Sequence, residues 1–218
     1  VYLVGSDYSY AQISHEVLKK RLSAFGLELV GEKLYPFPTT QFDVSDIVAK
    51  KPDLIITNIV GEDDLLWTLE LQKHPNVMRK AKVFSGLLQD PLLLIVEPEY
   101  IENFYSAYPF SRTSKEPLAV KYVTEYTQRF GAEFASVGQG VYDSILLLAE
   151  ALRLTQTETA PEVLGQALLD AKVLGPRGQN VMESNHHVTM DINLVQGNKD
   201  KKYEIVKTFY NVKPNPEL

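Results

Sequence analysis

Residues 1–26 read VYLVGSDYSYAQISHEVLKKRLSAFG. Val1–Val4 is a short apolar run without clean alternation, the pattern of a strand covered on both faces. Ile13, Val17, Leu18, Leu22 and Phe25 then recur at helical spacing, and Gly26 supplies a left-handed stop. Strand, polar loop and helix make one βα unit. The loop GSDYSY sets two tyrosines behind the strand. If the peptide there is extended, Tyr8 and Tyr10 point the same way.

The unit repeats. Further strand-like runs are Glu28–Leu34, Leu54–Val60 and Val83–Leu87, with a fifth strand about Asn103–Pro109. Between them, a short helix runs to Lys50, starting near Asp43 or Ser45. A second, with Leu65, Leu66, Leu69 and His74 on it, opens on Glu62-Asp63-Asp64, acids suited to a helix N-terminus. Short connections between alternating strands and helices predict an α/β fold with a doubly wound parallel sheet. Residues 114–171 read as three helices. The first carries Leu118, Val120, Val123, Tyr126 and Phe130; the second Val141, Ile145, Leu148, Ala149 and Leu152; the third begins at Pro161. From Gly175 the pattern alternates over two runs around the turn GNKDKK, the sign of a C-terminal β-hairpin. The domain reading is 1–112 for the βα part, 113–174 for the helices and 175–218 for the hairpin and tail.

Composition narrows the class. The 218 residues are 44% hydrophobic and 23% charged, with a net charge of −6 and no cysteine. Disulfides and thiolate chemistry are excluded. An acidic balance without a Lys/Arg cluster argues against nucleic acid and against an anionic membrane surface. No apolar run approaches the ~18–20 residues of a membrane-spanning helix. Because the chain opens inside a strand, it reads as a piece of something longer.

In open parallel sheets, ligands sit beyond the carboxyl ends of the strands. After the first strand come Ser6, Asp7, Tyr8 and Tyr10. After the third come Asn58, Gly61 and Glu62, after the fourth Ser85 and Gly86, and after the fifth Tyr108 and Phe110. Hydroxyls, an amide and aromatic faces along one rim are the make-up of a small-ligand pocket. The same residue types also serve as turns and caps, and the tyrosines also suit rings that cover the sheet edge. Catalytic patterns are missing. GSDYSY lacks the later glycines of a dinucleotide loop, there is no Walker-type lysine, and no serine sits in a nucleophile elbow. Glu183, His186 and His187 have neither the spacing nor the ligand count of a metal site. No catalytic residue, metal or cofactor is expected.

Several segments together resemble the amide- and urea-binding branch of type I periplasmic binding proteins, kin to the branched-chain amino acid receptors of ABC transporters. YLVGSDYSY resembles that family's strand-plus-tyrosine segment opening the second lobe, and PDLIITNIVGEDD its strand and cleft loop. AYPF resembles the aromatic strand end, GQGVYDSILLLAEAL the helix returning to the first lobe, and GPRGQNVMESNHH the hairpin near the C-terminus. The resemblance implies a C-terminal-lobe fragment that binds a small polar ligand such as an amide, urea or amino acid. It implies ligand contacts at Tyr8, Tyr10, Asn58, Gly61 and Tyr108; Ser6 and Ser85 join them from the rim reading. Its partners would be an ABC permease or a sensor or regulator, with a missing first lobe or a homodimer beside it and no membrane insertion. Its place would be the periplasm or another extracytoplasmic space, or the cytoplasm for an amide-responsive regulator. The chain departs from the pattern in lacking the first-lobe sheet. The apolar face of the Val141–Leu152 helix therefore needs a cover: a missing segment, a second copy, or the second lobe itself. The alternative is a flavodoxin-like enzyme or nucleotide-binding domain with chemistry at the same rim.

Overall fold

A computed structural model describes residues 1–87, 90–131, 136–156 and 160–215. The chain forms two compact units, Val1–Ala107 with Gln196–Tyr203, and Tyr108–Val195 with Glu204–Leu218.

In the first unit, strands β1 (Tyr2–Ser6), β2 (Gly31–Tyr35), β3 (Leu54–Asn58), β4 (Lys82–Ser85) and β5 (Phe104–Tyr108, whose last residue belongs to the second unit) alternate with helices α1 (Ser9–Ala24), α2 (Ser45–Lys50), α3 (Glu62–Gln72), α4 (Pro75–Met78) and α5 (Leu92–Ile95). The strands lie in the order β2-β1-β3-β4-β5, all pairs parallel. The predicted α/β fold with its parallel sheet is what the molecule has. β1 is buried along its whole length. Leu3, Ile56 and Leu22 form a core cluster there, with Val1, Leu18, Leu54 and Phe84 packed against it. Gly5 lets α1 lie close on β1: a β-carbon at Gly5 would stand 2.9 Å from Ala11 Cβ and 3.3 Å from His15 Nε2. His15 is buried, with Nδ1 2.9 Å from Glu32 Oε1 on β2.

Two local expectations change. GSDYSY is not an extended peptide, because β1 runs on to Ser6 and α1 begins at Ser9. Tyr8 is extended (φ −153°, ψ 169°), while Tyr10 lies in the first helical turn. On α3, the expected apolar face is the wrong one. Leu66 and Leu69 face solvent, and the stripe Asp64, Trp67, Thr68 and Leu71 is buried. That stripe has helical spacing too, and the Trp67 ring offers more apolar area than any of the leucines.

The second unit carries the three expected helices, α6 (Pro117–Phe130), α7 (Ser136–Thr155) and α8 (Pro161–Asp170). Strands β6 (Lys172–Gly175) and β7 (Gly178–Met182) pair antiparallel, and β7 pairs antiparallel with β8 (Val188–Gly197), whose last two residues belong to the first unit. β9 (Tyr203–Val212) pairs with β8 after the turn at Asn198–Lys202. The single predicted hairpin is thus joined by a second, β6–β7. Its first strand is only four residues long, too short to show a period in the sequence. Phe110 and Ala119 form one core cluster with Tyr122, Val123 and Tyr126 against them. Leu147, Ala151 and Ala171 form another.

On α7 the buried stripe is Gln139, Asp143, Leu147 and Ala151. The face read from the sequence looks outward instead: Val141 is 63% and Ile145 60% exposed, and Leu148 is exposed as well. Asp143 is held by a polar cluster. Its Oδ2 lies 3.0 Å from Arg177 Nε in an ion pair and accepts from Asn180 Nδ2 at 3.0 Å, and Asn180 Oδ1 accepts from Arg177 Nε at 2.6 Å. Burial pulls the Arg177 guanidinium below its usual range, and Asp143 and Tyr108 oppose that shift.

Candidate ligand-binding rim

The parallel register decides which loops meet in the first unit. Gly5 is paired with Asn58, Ser6 with Tyr35, and Thr57 with Ser85. The loops after β2, β1, β3 and β4 therefore leave the same edge in spatial order.

Ser6 is buried, and its Oγ accepts the Val60 N–H at 3.2 Å, tying the loop after β3 to the end of β1. Asn58 is buried, and its Nδ2 has no hydrogen-bond partner among the described residues. A β-carbon at Gly86 would collide with Asn58 Oδ1, so this close approach requires glycine. Ser85 is buried and closes a turn: its Oγ donates to the Leu87 carbonyl and accepts the Leu87 N–H at 3.2 Å. Gly61, at φ 64° and ψ −142°, precedes α3 and allows the sharp entry into the helix. The two serines are thus engaged in holding the rim, while Asn58 has a donor that no described residue uses.

Tyr8 is half-buried, and burial, with Tyr10 alongside, pushes its phenol above the usual tyrosine range. The Tyr8 ring lies 6.0 Å from that of Tyr10, so the two are neighbours although Tyr10 is helical. The Tyr8 ring also lies 6.0 Å from Phe37, in the loop after β2. The sequence reading missed Phe37. The signal was there, since YPFP follows the second strand as GSDYSY follows the first.

The loop after β2 is fastened to α3, because the Thr39 N–H donates to Asp63 Oδ2 at 2.9 Å. Next to it, Asp64 is fully buried, and neither carboxylate oxygen has a hydrogen-bond partner among the described residues. Burial pushes its carboxyl up to about 8. Burial also raises the Tyr203 phenol, and Asp64 and Asp90 add to that shift. Tyr108, the remaining sequence candidate, is half-buried at the end of β5 and belongs to the second unit. That unit contains a cavity of about 980 Å³, whose lining includes Phe110, Lys115, Arg177 and Tyr210. Among the described residues no group of three or more His, Asp or Glu is placed to hold a metal ion, and no helix is long and apolar enough to cross a membrane.

A family model described as periplasmic binding protein matches residues 1–202. The chain belongs to the periplasmic binding protein family. Solved structures with the same fold include solute-binding proteins of ABC transporters. A solute-binding protein of R. palustris in complex with benzoate superposes with a TM-score of 0.88 at 16% identity, over 99% of this chain and 59% of that one. The leucine-, isoleucine-, valine-, threonine- and alanine-binding protein from Brucella ovis, in its closed conformation, gives 0.82 at 19% identity, over 98% and 59%. A solute-binding protein from Rhodopseudomonas palustris BisB5, with 3,4-dihydroxybenzoic acid, gives 0.85 at 21%, over 100% and 62%. This periplasmic binding protein chain therefore spans about three-fifths of the length of these structures. No curated protein matches it. The family is one of binding proteins, not enzymes, and that membership decides against the flavodoxin-like reading.

Proposed function

We propose that this chain is the second lobe, with returning helices and C-terminal hairpin, of a solute-binding protein that captures a small polar ligand such as an amide, urea or amino acid. In this reading residues 1–112 form the βα lobe, 113–174 return toward a first lobe, and 175–218 rejoin the second. The ligand lies in a cleft between lobes, and a partner reads the closed form. That partner is an ABC permease or a sensor, and the location is periplasmic. The proposed ligand residues of the first unit are Tyr8, Tyr10, Ser6, Asn58, Gly61 and Ser85; Tyr108, in the second unit, is a separate candidate.

The observation that carries the reading is the buried Asn58 amide, whose Nδ2 has no partner among the described residues, at a strand end whose register neighbour leads into Tyr8 and Tyr10. A donor left bare in a buried setting is costly unless something completes it. The family match and the shared fold support the same reading.

Ligand-dependent thermal shift tests it. Acetamide, urea or a branched-chain amino acid should raise the melting temperature of the full-length protein, while FMN and ATP leave it unchanged. A saturating ligand at ~100 times its dissociation constant adds ~2.7 kcal/mol. Stabilisation by FMN or ATP, and by none of the solutes, overturns the proposal.

A further inference from the structure

The loops at the carboxyl edge of the first unit share a charge pattern. Residues 7–12, 36–41, 59–64 and 86–87 contain Asp7, Glu62, Asp63 and Asp64 and no lysine, arginine or histidine. Helix N-termini ordinarily favour anions through their partial positive charge. Here that charge is already met: α3 carries three acids in its first turn, and Asp7 stands two residues ahead of α1. Asp63 is engaged by the Thr39 N–H, and Asp64 is buried, so Asp7 and Glu62 are the acids that face solvent. An anionic group on a ligand would meet repulsion from this edge.

Aromatic faces stand in the same place. Tyr8 lies between Tyr10 and Phe37, with both ring pairs at 6.0 Å and tilted by 34° and 32°. Tyr10 is 42% and Phe37 51% exposed, so these rings are not consumed by the core. Rings that present their faces attract cations within ~6 Å of the centroid, most strongly when water is excluded. An alkylated ammonium suits such a wall better than a bare one, because its methyl groups bury against the rings and it sheds water cheaply. Asn58 adds a donor for an oxygen carried elsewhere on the same ligand.

We propose that this edge selects a solute bearing an alkylated ammonium group, held against Tyr8, Tyr10 and Phe37 and balanced by Asp7 and Glu62, with an oxygen that accepts from Asn58. The proposal rests on the reading above that this rim binds a small polar solute, and it moves the ligand from amides and urea, which carry no ammonium, to alkylated ammonium solutes. It gives Phe37 a role as a specificity-determining residue.

The probes are choline, its uncharged isostere 3,3-dimethylbutan-1-ol, benzoate, acetamide and leucine, added to the full-length protein in calorimetric titration and thermal shift. Choline should bind and stabilise, and the isostere should not. Tyr10→Ala and Phe37→Ala should each weaken choline about tenfold, between the scales of an exposed and a desolvated cation–π contact. Glu62→Gln should weaken choline several-fold, with the difference shrinking as salt rises. All three positions are exposed, and unchanged melting of the unliganded variants separates lost binding from lost folding. Binding of acetamide, leucine or benzoate without binding of choline overturns the inference and leaves the binding-protein reading standing. Equal binding of choline and its isostere also overturns it, since charge then plays no part. No response to any probe overturns both.

Discussion

Asn58 and Gly86 compete for the same space: the Asn58 side-chain oxygen fills the spot that a β-carbon on residue 86 would need. The two residues lie at the ends of neighbouring parallel strands, and Gly86 is not in the left-handed region, so the constraint is room rather than backbone conformation. Gly86→Ala should push the Asn58 amide off its position and cost about 1–3 kcal/mol, the usual range for overpacking. The cost should shrink in an Asn58→Ala background, because the clashing atom is gone. Denaturant melts of the four proteins in a double-mutant cycle measure this; equal costs in both backgrounds would refute it.

Asp64 makes stability depend on pH. Its folded-state value, about 8, lies above the ordinary carboxyl value of 3.8, so the native protein holds a proton that the unfolded chain releases. The group therefore favours the native state fully below pH ~4, and its contribution is lost progressively as pH rises toward 8, at up to about 1.4 kcal/mol per pH unit. Asp64→Asn should flatten that fall and leave the variant more stable than wild type at pH 8. Urea melts at pH 5 and pH 8 check it, and parallel pH dependence in the two proteins would count against it.

In the second unit, Arg177 offsets the charge of the fully buried Asp143. Arg177→Met should cost about 3–5 kcal/mol, because a buried carboxylate is left without its counter-charge. Adding Asp143→Asn should recover much of the loss. Failure of the second change to recover any stability would show that the guanidinium acts through packing alone.

The outward face of α7 gives a different expectation. Fully burying a leucine or isoleucine side chain is worth about 1.5–3 kcal/mol, so Val141, Ile145 and Leu148 favour association. In this chain taken alone, Ile145→Glu with Leu148→Glu should reduce concentration-dependent association in sedimentation while leaving the thermal melt unchanged. A lowered melting temperature would place those residues in the chain's own core instead.

Much of the fold was legible because it rests on periodicity. Alternating βα units, three helices and a late hairpin are announced by where apolar residues recur, and those elements are present. Hidden from the sequence were choices between faces of equal period. On α3, Leu66 and Leu69 compete with Trp67 and Leu71, and only the packing on neighbouring strands decides which side is buried. On α7, Asp143 is buried where a carboxylate ordinarily stays in water, because Arg177 and Asn180 from a distant hairpin meet it. No local signal announces such a partner. At the rim, Ser6, Asn58 and Ser85 were legible because each sits at the carboxyl end of a recognisable strand. Phe37 was passed over because the second strand was not treated in the same way.

Because residue 5 is a glycine, Ala11 can lie close on β1. Ala11 is fully buried one residue after Tyr10, so the helix start that bears the Tyr10 ring, with Tyr8 just ahead of it, rests directly on β1. A ligand arriving at this wall meets rings whose backbone is already fixed, and little freedom remains to be surrendered on capture.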